Sequence, residues 1–247
     1  MDRLLELTYR AEQSHFWFRG FRQYMHPVLA RATAGVASPR ILDCGCGTGS
    51  NLEMLRPFGR AVGFDLTGVG PAFARSHGHR VAQASIAQIP FASASFDLVT
   101  SFDVFQCLPD PVEHDAITEV FRVLKPGGWI LLHVAALDIL HGRHSVLSEE
   151  VRRYTPSRLR MIVERGGFRV ERLTFDHASL LPIMLPVRMW HRFSADGEVP
   201  AGEGEITVPA APINAALTAL VSLEALALRV VNMPIGTSLM CLAQKPG

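Results

Sequence analysis

An α/β fold with a mostly parallel sheet is what the sequence predicts, and three observations carry that reading. Short apolar runs alternate with helix-like stretches from residue 39 onward, the signature of βαβ units. The first run, Arg40-Ile41-Leu42-Asp43, ends in an acid and feeds a glycine-rich turn, Cys44-Gly45-Cys46-Gly47-Thr48-Gly49. The second run, Ala61-Val62-Gly63-Phe64-Asp65, again ends in an acid. Composition agrees: 48% of the 247 residues are hydrophobic and 19% charged, too apolar for a disordered chain and long enough to bury a sizeable core. A net charge of +1 gives no electrostatic footprint for nucleic acid, so no such partner is expected. The four cysteines are too few for a disulfide framework, and Cys44-x-Cys46 lacks a second ligand pair for zinc; no metal site is read.

Taken in order, residues 1–35 read as helical, with an aromatic cluster His15-Phe16-Trp17-Phe18-Arg19. The start, Met1-Asp2-Arg3, is charged and has no apolar core of a signal peptide. No window of 18 uncharged apolar residues occurs; the longest candidate, Pro209 to Leu223, is broken by Glu224 and Arg229. A cytoplasmic, reduced setting is therefore expected. Asn51 to Pro57 reads as a helix, and His79–Ala84, Phe96–Ser101 and Trp129–Ala135 read as strands. Pro109-Asp110-Pro111-Val112-Glu113 predicts a helix start with Asp110 as N-cap and Glu113 as capping-box partner. Ile117, Val120, Phe121 and Leu124 then share one buried stripe, and Lys125-Pro126-Gly127-Gly128 stops the helix. A second helix runs from Thr155-Pro156 to Gly166-Gly167, followed by a strand Phe168–Phe175. Residues 195–205 read as a glycine-rich, acidic loop, Pro212 to Asn232 as an apolar helix, and Thr237–Gln244 as the last strand. The organisation expected is one domain over 1–247: a helical cap (1–38), a core (39–176), a helical insertion (177–235), and a final strand and tail (236–247).

The glycine turn lies between a strand and a helix, where an open α/β sheet presents its ligand crevice. Glycine lets backbone approach a ligand without a Cβ in the way. The dinucleotide pattern G-x-G-x-x-G fails, because the sixth position from Gly45 is Ser50. What stands is G-x-G-x-G with Asp43 two residues ahead of it.

The run D-C-G-C-G-T-G followed by V-G-F-D resembles motifs I and II of the class I S-adenosylmethionine-dependent methyltransferases. Gln88-Ile89-Pro90-Phe91, Ser95-Phe96-Asp97-Leu98-Val99 and Arg122-Val123-Leu124-Lys125-Pro126-Gly127-Gly128 are similar to the type 11 subgroup. His15–Arg19, His144 to Thr155 and Asn232 to Pro246 resemble a bacterial branch of it. The resemblance implies a Rossmann-like seven-stranded sheet in the order 3-2-1-4-5-7-6, the last strand antiparallel. The cofactor it implies is S-adenosylmethionine, with S-adenosylhomocysteine as product. Gly45, Cys46, Gly47 and Gly49 would wrap its methionine part and Asp43 would meet its amino group. Asp65 would grip the ribose hydroxyls, a match of two acceptor oxygens to a cis-diol. Leu66, Ser85, Ile86, Ser101 and Phe102 complete the expected pocket, and Arg19 would pair with the methionine carboxylate. Two places depart from the pattern. Ser85 stands where an acid is common, and Asp103-Val104-Phe105-Gln106-Cys107 replaces D-V-L-E-H.

Methyl transfer is an in-line displacement in which alignment supplies much of the acceleration, and a hydroxyl acceptor also gains from a general base. The catalytic candidates are His133, His141, His144 and Tyr154, chosen from the end of the fifth strand and the loop after it. Arg152 and Arg153 read either as a solvated pair or as a clamp for an anionic acceptor. The apolar stretches after residue 177 read as core, as a pocket for a small or lipid-linked acceptor, as a homodimer face, or as a peripheral membrane contact. The alternatives carried beside methyl transfer are a nicotinamide-dependent oxidoreductase and a regulatory module that binds the cofactor without chemistry.

Overall fold

The computed structural model describes residues 9–140, 149–186 and 208–247. Seven strands form one sheet: β1 (Arg40–Cys44), β2 (Arg60–Asp65), β3 (Val81–Gln83), β4 (Phe96–Phe102), β5 (Leu124–Ala135), β6 (Arg169–Asp176) and β7 (Ser238–Gln244). Their order is β3-β2-β1-β4-β5-β7-β6. The β1–β2, β1–β4, β2–β3 and β4–β5 pairs are parallel, whereas β7 runs antiparallel to both β5 and β6. The order and the antiparallel last strand are those expected from the sequence. Among the described residues, the helices that flank the sheet include α1 (Phe16–Thr33), α2 (Ser50–Leu55), α3 (Val69–Ser76), α4 (Asp110–Val123), α5 (Pro156–Arg165) and α6 (Ala211–Leu228).

Alternation along the central strands sends neighbouring residues into different layers. Leu42, Val99 and Ile130 join one buried cluster with Ile117 and Val120 of α4 and Leu159 of α5. Ile41, Leu98 and Leu131 join another with Tyr24 and Leu29 of α1 and Val221 of α6. Burial of both faces explains why these strands are continuous apolar runs rather than alternating ones. The α1 and α6 helices meet at Gly20, where an added Cβ would sit 3.0 Å from Val221 Cβ. Asn214 of α6 latches the same pair: its Oδ1 accepts from Phe16 N at 2.9 Å and its Nδ2 donates to Ser14 O at 3.0 Å.

Three local expectations change. Asp110 is the first residue of α4 rather than its cap, and Glu113 bonds elsewhere, to Tyr154, Arg152 and Arg158. β5 begins at Leu124, because Leu124 pairs with Phe96 before an irregularity in the β4–β5 register. Ala211–Leu228 is long and apolar enough to cross a membrane by length and composition, with 22% of it buried. Glu224, which broke the apolar run in sequence, is 6% exposed and accepts from Ala178 N and Ser179 N at 2.9 Å each. The loop expected over 195–205 lies outside the described residues.

Candidate active site

The carboxyl ends of β1, β2 and β4 converge on the glycine loop. Gly45 N and Cys46 N donate to Phe64 O at 2.8 and 3.0 Å, which ties the loop to β2. Gly45, Gly47 and Gly49 all have positive φ, +83°, +48° and +88°. Their surroundings differ. A Cβ on Gly45 would fall 2.2 Å from Val104 Cγ2, and one on Gly49 2.8 Å from His79 Cδ2, so both are needed for packing. A Cβ on Gly47 would meet nothing within 4 Å. Gly47 is the glycine of the loop whose backbone faces open space.

Beneath the loop, Asp43 is fully buried. Thr100 Oγ1 donates to its Oδ1 at 2.7 Å, while Oδ2 is buried without a partner. Burial pushes this carboxyl up to about 7; the Thr100 hydrogen bond opposes the shift and the charge of Asp65 adds to it. An orphaned buried acceptor at the end of the strand that feeds the glycine loop fits a ligand that brings a cationic donor. Asp65 Oδ2 accepts from Gly47 N at 3.0 Å, and its Oδ1 accepts from Thr67 N and Oγ1, each at 3.0 Å. Asp65 thus shapes the loop and its own turn, and Oδ2 keeps acceptor capacity for a hydroxyl.

Past the end of β4, a second group of side chains collects under the N-terminal end of α1. His133 Nδ1 lies 3.2 Å from Asp103 Oδ1, and its Nε2 lies 3.3 Å from Asp176 Oδ1. His177 Nδ1 lies 2.6 Å from that same Oδ1, and its Nε2 lies 3.4 Å from Trp17 O. His133, Asp176 and His177 are buried, whereas the Asp103 side chain is 53% exposed. Burial opposes a charge on His133, but Asp176 and Asp103 outweigh it and carry the ring up to about 10. Burial likewise opposes ionisation of Asp176, yet His133 and His177 hold its carboxyl below the usual range. Asp103 and His177 both take left-handed backbone, φ +58° and +53°, a strain that recurs at functional sites.

Comparison with known proteins bears on the fold and on the stretch that carries the glycine loop. Residues 42–132 match the methyltransferase domain family. A "probable S-adenosylmethionine-dependent methyltransferase" of Mycolicibacterium smegmatis is 30% identical over 164 residues, 64% of this chain and 62% of that one. Residues 42–132 thus carry a methyltransferase domain, on the sheet of the class I S-adenosylmethionine-dependent methyltransferases. A malonyl-[acyl-carrier protein] O-methyltransferase of Herminiimonas arsenicoxydans is 29% identical over 197 residues, 72% of this chain and 73% of that one. Among solved structures, phosphoethanolamine N-methyltransferase 2 of Haemonchus contortus, in complex with S-adenosylmethionine, superposes with a TM-score of 0.64 at 18% identity, covering 100% of this chain and 58% of that one. The [4+2]-cyclase SpnF shares the fold at a TM-score of 0.56 and 21% identity, over 91% of this chain and 80% of its own. The match spans 62% of the mycobacterial relative's length.

With the methyltransferase fold in hand, the remaining sequence expectations can be located. Leu66 is 70% exposed beside Asp65, open to a ligand. Arg19 is exposed on α1. Ser85 Oγ accepts from Ala87 N at 3.2 Å and so closes its own turn. Ile86 is buried and joins the core cluster of Leu42 and Phe64. Cys46, Ser101 and Phe102 are buried as well. Ser101 Oγ donates to Cys44 O at 3.2 Å, and Phe102 meets Phe21 edge-on at 5.0 Å, so they brace the loop from below.

Of the catalytic candidates, His133 is buried near the end of β5, and both its ring nitrogens face carboxylate oxygens, which leaves it poorly suited to take a proton. Tyr154 is displaced from the role expected of it. It is 1% exposed, and its hydroxyl bonds to Glu113 and to Phe105 O in the layer of α4 and α5. Arg152 and Arg153 are neither solvated nor open to an anion. Arg152 pairs with Asp110 at 2.8 Å and Glu113 at 3.0 Å, and Arg153 with Glu150 at 3.1 Å and Ala136 O at 3.0 Å. His141 and His144 lie outside the described residues. Sequence reasoning missed Asp176 and His177, which carry no motif, and Glu12, whose Oε2 accepts from Thr48 Oγ1 at 2.9 Å. Burial raises the Glu12 carboxyl, against the opposing hydrogen bonds of Thr48 and Ser50.

Proposed function

We propose that this chain transfers the methyl group of S-adenosylmethionine to an oxygen or nitrogen of a small or lipid-linked acceptor. The observation that carries the reading is Asp43 Oδ2, a buried acceptor without a partner at the end of β1, two residues ahead of a glycine loop in which a Cβ on Gly47 would meet nothing within 4 Å. When bound, the sulfonium supplies a methyl group on a good leaving group. Asp43 holds the amino group, Asp65 Oδ2 takes a ribose hydroxyl, and Leu66 covers the sugar. The acceptor enters past Val104, which touches Gly45, and meets Asp103, the half-exposed member of the histidine–aspartate group. His133 orients Asp103. His141 and His144, which follow β5 in sequence, are our candidates for the base that takes an acceptor proton.

Several relatives are named as O-methyltransferases, of malonyl-[acyl-carrier protein] or in ubiquinone biosynthesis, which supports oxygen as the acceptor atom. The exposed apolar residues of α6, Ile213, Leu223 and Leu226, support an apolar partner there, be it a lipid-linked acceptor, a membrane surface or a second copy. The four free cysteines fit a reduced, cytoplasmic compartment. The reading is tested by calorimetry with S-adenosylhomocysteine, followed by a screen of hydroxyl and amine acceptors for its release. A cofactor-binding module without catalysis is the second reading, favoured by the absence of a Glu-His pair at 106–107. It predicts tight cofactor binding with no turnover on any acceptor.

A further inference from the structure

The group formed by His133, Asp176 and His177 has a feature that hydrogen bonding alone satisfies poorly. All four ring nitrogens face oxygen acceptors. The outer two, His133 Nδ1 and His177 Nε2, face Asp103 Oδ1 and Trp17 O. The inner two, His133 Nε2 and His177 Nδ1, both face the Asp176 carboxylate. A charge on His133 alone leaves a lone pair of His177 Nε2 facing Trp17 O at 3.4 Å, and protons satisfy all four contacts only if both buried rings carry a charge at once. A neutral imidazole offers one N–H and one lone pair, so with the outer N–H groups donated outward, two lone pairs and a carboxylate point at one another. A dication between them removes that conflict with both rings neutral, and it brings the same charge as two protons.

We propose that His133 Nε2, His177 Nδ1 and Asp176 together bind one divalent first-row transition metal ion. Their ligand atoms lie within 4.8 Å of one another and all three residues are buried. Asp176 Oδ2 is buried without a hydrogen bond, although it lies 3.2 Å from His133 Nε2. The outer partners match what orients metal-bound histidines: a carboxylate on one ring and a backbone carbonyl on the other, each fixing the outer N–H. Trp17 stacks on the His177 ring at 3.9 Å and 6°, and Phe21 meets His133 edge-on at 5.0 Å, so both rings are held in place. Two imidazoles and one carboxylate suit zinc, cobalt or ferrous iron rather than magnesium or calcium. Three protein ligands leave the fourth place of a tetrahedral ion for water or an acceptor oxygen. This inference does not rest on the methyl-transfer reading; it needs only the side chains at the ends of β5 and β6.

The test uses the full chain, stripped with a chelator and titrated with zinc against a chromophoric competitor. One ion per chain is expected, with His177→Ala weakening binding by about a hundredfold or more, beyond what changes in outer-shell partners cost. Because His177→Ala loses a buried ring and risks misfolding, the wild-type chain supplies a second readout. X-ray absorption of the zinc-loaded protein is expected to give two imidazoles and oxygen ligands. Absence of stoichiometric binding overturns the proposal, as does binding without two imidazoles or binding that survives in a folded His177→Ala chain. S-adenosylhomocysteine affinity is measured on the same stripped protein. Its presence or absence reports on the cofactor reading separately from the metal.

Discussion

Trp17 lies flat on His177, ring centroids 3.9 Å apart and planes 6° from parallel. The contact joins α1 to the turn after β6, and Trp17 O reaches His177 Nε2 from the same residue. Trp17, from the aromatic cluster near the chain's start, therefore roofs the histidine–aspartate group. Trp17→Ala is expected to lower thermal stability, the lost stacking being worth about 1 kcal/mol beyond buried area. It should raise the acceptor KM while leaving the Kd of S-adenosylhomocysteine within about twofold, under 0.5 kcal/mol. Equal losses in both constants would move Trp17 to the cofactor side. Trp17→Phe keeps a stacking ring and should keep most of the function.

Gly45 and Gly47 separate packing from ligand approach. Gly45→Ala combines positive φ with a Cβ 2.2 Å from Val104 Cγ2, so it should destabilise the fold by about 1–3 kcal/mol or more. Val104→Ala should return part of that loss. Gly47→Ala meets open space at φ +48°, and should cost about 1 kcal/mol in stability while weakening cofactor binding more. Chemical denaturation and calorimetry on the three variants measure both effects. If Gly47→Ala binds cofactor as wild type does, Gly47 does not face the ligand.

Asp43 makes the ligand-free protein sensitive to pH. Its carboxyl titrates at about 7 in the fold. An unfolded aspartate titrates at about 4. The folded state therefore binds the extra proton between those values. Stability from this group is fully present below about pH 4 and is lost as pH rises towards 7. Asp43→Asn should flatten that slope in thermal melts of the ligand-free chain. Affinity for S-adenosylhomocysteine should rise with pH up to about 7 and then level off, because the ionised carboxylate is the better partner for a cationic amino group. A pH-independent affinity would remove Asp43 from the amino-group role.

Glu113 and Tyr154 are expected to matter for folding rather than chemistry. Glu113 is 5% exposed and gathers Tyr154, Arg152 and Arg158. Glu113→Ala removes the buried acceptor of the Tyr154 hydroxyl and one of two carboxylates held by Arg152 and Arg158, with Asp110 remaining, and should cost about 1–3 kcal/mol. Tyr154→Phe should lower stability by about 1–2 kcal/mol, with kcat unchanged in the fraction that folds. A large kcat loss in a stable Tyr154→Phe chain would return Tyr154 to the active site.

Much of this was legible from residues alone. Local signals such as the acid-ending runs at Asp43 and Asp65 and the Thr155-Pro156 helix start act within a few residues, and they located the sheet and the loop. The resemblance then gave the strand order, which local signals do not encode. What stayed hidden depends on distance in sequence. Glu113 looked like a capping residue because its partners Tyr154 and Arg158 arrive 41 and 45 residues later. Asp176 and His177 belong to no motif, and only the antiparallel β6–β7–β5 arrangement brings them to His133.

The central claim is that the bend after β1 and the acid ending β2 jointly hold S-adenosylmethionine. Isothermal titration of S-adenosylhomocysteine into wild type and Asp65→Ala tests it most directly. The account predicts one site per chain in the wild type and at least a tenfold weaker Kd in the variant, about 1.4 kcal/mol. No binding to a folded wild-type chain, or equal Kd values for the two proteins, would contradict it.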